Sequence, residues 1–228
     1  MSEPKLRHEI KHNINYSDYI ALRQKLKHIA KQDPHTGDSG KYRIRSLYFD
    51  NYSNKALMEK INGVNNREKF RIRYYNDDLT FIRLEKKGKV NGLCFKRSAK
   101  LTESQCNLII SGELDWMKKS TDPLLIELYF KMNYQQLKPK TLVDYVREPF
   151  IYEPGNVRIT IDTDIKTGLS SKELFNRELP TLKTRGNDFI ILEVKYDEFL
   201  PNIIRDIIQL DNRRNTAFSK YAEARVFG

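Results

Sequence analysis

Apolar residues along the chain recur with two different periods. In most segments they alternate with charged ones, as Phe70, Ile72 and Tyr74 do with Lys69, Arg71 and Arg73. Such alternation puts residues i, i+2 and i+4 on one face of a strand. It predicts strands at 5–14, 41–49, 66–75, 79–87, 92–99, 141–152, 157–165 and 188–196. Asn76-Asp77-Asp78 reads as a hairpin turn between two of them. Gly88 with Gly92 reads as a second turn, and Pro154-Gly155 as a third.

Elsewhere the period is helical. Tyr19, Leu22, Leu26 and Ile29 share one helix face, with Ser17 as the N-cap and an end near Ala30. A short helix from Tyr52 to Ile61 is closed by Gly63. Thr102 and Gln105 form a capping box for a helix to Ser111. Asp122-Pro123 opens a helix to about Leu137, with proline at its first position. Pro201 starts a further helix that ends near Leu210, and the tail from Phe218 fits neither period clearly. About eight strands in consecutive hairpins with four or five helices favour an α+β architecture: an eight-stranded antiparallel barrel with flanking helices. No repeat, low-complexity tract or Gly/Ser linker divides the chain, so residues 1–228 read as a single domain.

The polar faces of the strands carry an unusual content. Arg7, Glu9 and Lys11 share a face; so do Arg43 and Arg45. Arg67, Lys69, Arg71 and Arg73 line up, as do Arg83, Glu85 and Lys87. Arg158, Thr160, Asp162 and Asp164 form another set, and Glu193 with Lys195 the last. One solvated face is ordinary for an antiparallel sheet. These faces, however, are almost wholly Arg, Lys, Asp and Glu, and arginine is the better fork for phosphate oxygens.

Composition points the same way. The 41 Lys and Arg exceed the 30 Asp and Glu by eleven charges, which suits a polyanionic partner such as nucleic acid, anionic lipid or phosphate compounds. Apolar residues at 39 % exclude a disordered chain. No run of about 18 apolar residues predicts a membrane span, and the first residues lack the apolar core of a secretory signal. Cys94 and Cys106 have no metal-ligand spacing and form no disulfide framework, so they read as small buried hydrophobes in a reduced, cytoplasmic setting. No Walker or dinucleotide fingerprint is present.

If the strands close into a barrel with apolar faces outward against the helices, the charged faces become a lumen. A lumen of cations repels itself when empty. Bound phosphates and interleaved carboxylates relieve that repulsion; Glu9, Glu85, Asp162 and Glu193 are such carboxylates, and they suit Mg²⁺ or Mn²⁺.

Seven segments in order carry a resemblance: RHEIKH (7–12), RSLYFDN (45–51), REKFRIRYY (67–75), LEKK (84–87), RITIDTD (158–164), ILEVKY (191–196) and FSKY (218–221). Together they resemble the VTC domain, the polyphosphate polymerase branch of the triphosphate tunnel metalloenzymes. The resemblance implies an eight-stranded tunnel that binds triphosphate or polyphosphate with a divalent cation and moves the γ-phosphate of ATP onto a growing chain. By motif, it implies phosphate-holding roles for Lys11, Arg45, Arg71, Arg73, Lys87, Lys96, Arg147 and Arg158, with Lys195 and Lys220 beside them; Lys69 shares their face. It implies Glu193 as first metal ligand and Glu9 as second, with Lys11, Arg71, Arg73 and Glu193 at the reacting centre. The wider superfamily opens with Glu-x-Glu-x-Lys, whereas Arg7 replaces the first glutamate here. That leaves fewer carboxylates for two metals. The regulatory and membrane segments of the eukaryotic complex have no counterpart in this sequence, so a membrane-protein partner is expected to be a separate chain.

Three functions stay open at this stage: polyphosphate-forming transferase, hydrolase of phosphoanhydrides in the same lumen, and non-catalytic binder of polyphosphate or RNA. Most strand aromatics lie opposite the arginines and carboxylates share the basic face, which argues against a single-stranded nucleic acid groove.

Overall fold

The computed structural model describes residues 5–185, 189–209 and 218–225. The chain order is β1 (His8–Ile14), α1 (Tyr16–Ile29), β2 (Lys31–Gln32), β3 (Tyr42–Asp50), α2 (Lys55–Ile61), β4 (Arg67–Tyr75), β5 (Asp78–Val90) and β6 (Leu93–Leu101). It continues with α3 (Glu103–Ser111), α4 (Pro123–Tyr134), β7 (Lys138–Tyr152), β8 (Val157–Thr167), β9 (Leu182–Lys183), β10 (Ile190–Tyr196), α5 (Asn202–Ile208) and α6 (Lys220–Arg225). Eight strands run in the order β1-β10-β8-β7-β3-β4-β5-β6, every pair antiparallel; β2 adds to β7 and β9 to β8.

The sheet curls until its two edges touch. Arg7 N–H donates to the Cys94 carbonyl at 3.0 Å and Cys94 N–H to the Arg7 carbonyl at 2.9 Å. The wall is therefore a curled sheet fastened at one bridge, not the fully closed ladder that the strand pattern predicted.

Local chemistry sets most boundaries. Asn76 and Asp77 both take positive φ, 48° and 58°, giving the mirror-image turn that matches strand twist. Asn91 and Gly92 do the same between β5 and β6. Gly88 is consequently not a turn residue: it lies inside β5 opposite Phe95, and a Cβ there would sit 2.2 Å from the Phe95 ring. The α1 cap is Asn15 rather than Ser17; its side chain accepts from Asp18 N–H at 2.8 Å and the Asp18 carboxylate accepts from Asn15 N–H at 3.1 Å. The Thr102–Gln105 box and the Asp122-Pro123 start form as read from the sequence. The expected end of the Pro201 helix at Leu210 lies outside the described residues.

Helices cover the apolar outer face. Leu47, Phe49, Phe70, Ile72 and Leu84 pack under Cys106 and Ile109 of α3 and Leu125 and Leu128 of α4. Ile159, Ile161 and Leu192 pack against Leu22 and Leu26 of α1 and Ile204 of α5. Fully buried aliphatic side chains of this kind each contribute about 1.5–3 kcal/mol. A third cluster, with Tyr42, Ile44, Tyr48, Tyr145, Ile191 and Tyr221, lies on inward-facing positions beside α6. With outer positions filled by apolar packing, alternation turns the charged residues inward.

Candidate functional site

Two cavities of about 330 and 350 Å³ adjoin inside the curled sheet. They share Lys11, Lys69, Lys87, Cys94, Phe218 and Ser219, so these residues form a waist in one continuous passage. Twelve lysines and arginines line the first cavity against two carboxylates, Glu85 and Glu193. The first cavity takes Arg71, Arg73, Lys96, Arg147, Arg158, Lys195 and Lys220; the second adds Glu9, Lys60, Arg67 and Lys89. Of the residues expected to hold phosphate or metal, all but Arg45 line this lumen.

Several of these cations are held by defined partners. Arg71 directs Nε and Nη2 to one Glu85 oxygen at 2.8 and 2.5 Å, and Nη1 to the Tyr48 hydroxyl at 2.8 Å. Arg73 donates to Ser46 Oγ at 3.0 Å and to the Tyr145 hydroxyl at 2.7 Å. Lys96 lies 3.3 Å from the other Glu85 oxygen. Asp162 holds Arg147 bidentately and Lys220 at 2.5 Å. Arg158 reaches Asp33 at 2.7 Å and the Tyr42 hydroxyl at 3.1 Å.

Glu9 and Glu193 form a separate cluster with two lysines. Lys11 is 2.5 Å from Glu9 and 3.7 Å from Glu193; Lys195 is 2.8 Å from Glu193 and 3.5 Å from Glu9. The shorter contacts join residues two apart on one strand, and the longer ones follow the register, in which Lys11 opposes Glu193 and Glu9 opposes Lys195 on β1 and β10.

The passage carries more positive charge than it can keep protonated. Lys195 first, then burial, holds Lys87 well below its ordinary range. Burial, then Lys11 and Arg71, brings Lys69 down to about 8. Lys60 also falls to about 8, through burial and then Arg67. Burial alone would raise Glu193, but Lys195, Lys11 and Lys87 outweigh it and keep the carboxyl far below the usual range. Tyr48 behaves alike: burial opposes ionisation, yet Arg71, Lys69 and Arg73 bring it down to about 7. Such a lumen attracts polyanions.

Arg45 is a correction to the sequence reading. Tyr48, which lines the cavity, shares parity with Tyr42 and Ser46, so Arg45 points to the outer side of β3. There it is buried in a bidentate pair with Asp144 at 2.8 and 2.9 Å, with a further bond to the Asn176 carbonyl. Arg43, on the same side, pairs with Asp77. Asp164 also leaves the lumen: its φ of 50° and a register shift between Asp144 and Val146 turn it toward Lys166, 2.7 Å away. Cys94, read as a buried hydrophobe, is a wall residue of both cavities.

Among the contributors that escaped the sequence reading are Tyr48, Tyr145, Ser219 and Lys60. The two tyrosines had a usable signal, since Tyr145 lies two residues before Arg147 and Tyr48 two after Ser46. Ser219 and Lys60 stand beside or on helices, where strand parity gives none. A larger cavity of about 520 Å³ lies outside the barrel against α1 and β8, but two of its cations are already taken, Arg23 by Glu148 and Arg185 by Glu223.

Comparison with known proteins gives a family and a fold. The family model described as the VTC domain matches residues 6–227. Among curated proteins, none matches the chain by sequence. Among solved structures, a Bacillus halodurans protein provisionally described as an adenylate cyclase aligns with a TM-score of 0.54 at 13 % identity, covering 91 % of this chain and 88 % of that one. PH1819 from Pyrococcus horikoshii aligns with a TM-score of 0.48 at 14 % identity, over 96 % and 95 % of the two chains.

Proposed function

Because the chain belongs to the VTC domain family, we propose that it transfers the γ-phosphate of ATP onto the end of a polyphosphate chain held in this passage. The observation that carries the reading is convergence: cations from β1, β4, β5, β6, β7, β8, β10 and α6 meet in one lumen around a few paired carboxylates. A passage built from two adjoining cavities suits an extended polymer better than a single small anion.

Phosphoryl transfer asks for alignment and charge neutralisation rather than a protein nucleophile. Arg71, Arg73 and Arg147 are fixed by Glu85, Tyr145 and Asp162 before any substrate arrives, so their N–H groups need not reorganise during the reaction. They would meet the charge on the transferring phosphoryl group. Lys11, Lys69 and Lys87 at the waist would hold the acceptor chain. A terminal phosphate oxygen of that chain attacks the γ-phosphorus as the bond to the ADP oxygen breaks.

A divalent cation is part of this reading. Glu9 Oε2 is buried and makes no hydrogen bond, although Lys195 lies 3.5 Å away. The described residues hold no cluster of three or more metal-binding side chains, so Glu9 and Glu193 would share such an ion with phosphate oxygens and water. When bound, Mg²⁺ or Mn²⁺ supplies further neutralisation of the triphosphate.

The test is incubation with ATP and Mn²⁺ or Mg²⁺, with products resolved by length. Long polymer with ADP supports the transferase. Free phosphate with ADP makes the protein a hydrolase. Tight tripolyphosphate binding without turnover makes it a polyanion binder.

A further inference from the structure

The two mouths of the passage differ in kind. Beyond the waist the second cavity adds Lys60, Arg67 and Lys89 with a single ring, Tyr221, which is buried against Tyr48. At the other mouth three rings follow one another. Tyr42 and Tyr75 meet edge to face, centroids 5.5 Å apart at 79°, and Phe81 follows Tyr75 at 6.0 Å. Tyr75 lines the first cavity beside Arg73, and Phe81, two residues before Arg83 on β5, continues the run from Tyr75 just outside the cavity lining.

Packing does not account for this placement. Phe81 is 44 % exposed and belongs to none of the three apolar clusters. It sits on the polar face of β5 next to a tight hairpin. Arg83 lies against the ring, its guanidinium carbon 4.5 Å from the centre, and Arg73 lies 5.9 Å from the centre of Tyr75. The aromatic run thus begins where the phosphate-facing arginines end. A flat, polar-edged group joined to a chain of phosphates matches that sequence of surfaces.

We infer that Tyr75 and Phe81, with Arg83 stacked on the latter, form a platform for the nucleobase of a nucleoside triphosphate whose phosphates run inward over Arg73 and Arg71. The inference rests on the reading of the lumen as a triphosphate site. Every base has a π-face, so stacking here separates nucleotides from inorganic triphosphate with little choice among bases. The mouth beside Lys60, Arg67 and Lys89 is then left to the polymer.

The full chain is titrated with a triphosphate carrying 2-aminopurine as its base, whose emission falls on stacking, and separately with ATP and tripolyphosphate by calorimetry. Bound 2-aminopurine triphosphate is quenched and is displaced by tripolyphosphate. In Phe81→Leu the quenching is lost and ATP affinity drops about tenfold, while tripolyphosphate affinity moves by less than about twofold. Tyr75→Leu gives the same pattern. Emission that stays at its solution level in the bound state overturns the platform, as does an equal loss of both ligands in Phe81→Leu. Failure of wild-type protein to bind either ATP or tripolyphosphate overturns the tunnel reading itself, and the platform with it.

Discussion

Arg147 and Asp162 face each other across β7 and β8, and two guanidinium N–H groups reach the two carboxylate oxygens at 2.7 and 2.8 Å. Asp162 has no exposed surface and holds Lys220 of α6 as well. A single carboxylate therefore aims one cation from the sheet and one from the C-terminal helix into the same space. Removing one partner of a buried pair leaves the others charged and unmatched.

Asp162→Asn should lower stability by about 3–5 kcal/mol, the usual result of breaking such a pair. Thermal unfolding measures this. Added tripolyphosphate should recover more of the melting temperature in the variant than in wild type, because the anion replaces the missing charge. A variant as stable as wild type without ligand would contradict the pairing.

Glu193→Gln tests the candidate metal carboxylate. The concentration of Mn²⁺ needed for half-maximal polymer formation should rise by at least the roughly 10–100-fold seen when residues supporting a metal site are lost. Tripolyphosphate binding in the absence of metal should survive, since the cations remain. An unchanged metal dependence removes Glu193 from that role.

Anion binding should take up protons. Lys69 is held near 8 in the empty passage, by burial and then by its cationic neighbours, and Lys87 is depressed with the same sign. A bound polyanion raises both. Below pH 8 Lys69 carries its proton with or without ligand, so it adds no pH dependence there. Above 8 the free protein has shed the proton and binding must recover it, so affinity falls as pH rises. Calorimetry above pH 8 in buffers of different ionisation enthalpy reads the uptake directly. Lys69→Arg, whose side chain stays charged, should reduce it.

Arg73→Gln and Arg45→Gln should separate the lumen from the outer face. Loss of a charge-assisted donor at Arg73 should weaken tripolyphosphate binding by about 1.5–3 kcal/mol. Arg45→Gln should destabilise the fold by leaving Asp144 unpaired, yet leave the affinity of the folded protein where it was. Comparable affinity losses in the two variants would place Arg45 in the site after all.

The strand faces were legible because most strands bury one side only, so charge and apolarity alternate in register. Arg45 misled because β3 buries both sides: Leu47 and Phe49 fill the outer core, Ile44 and Tyr48 the inner one, and the contrast that marks a face is missing. Asp164 misled because one bulge shifts the alternation by a residue, which no local pattern announces. Lys220 was recovered only through the FSKY segment, since a short helix delivers it and strand parity is silent there. The contact between Arg7 and Cys94 joins the first long strand to the sixth, a non-local pairing without a signature in either segment.

That contact sets a property of the whole wall. Elsewhere each strand is stitched to its neighbours by a run of paired residues, and its distance from them is dictated. Between β1 and β6 two amides do the fastening. The bore is thus the dimension of this molecule least governed by its ladders, since parting the wall along this seam breaks one residue pair and leaves every other rung closed.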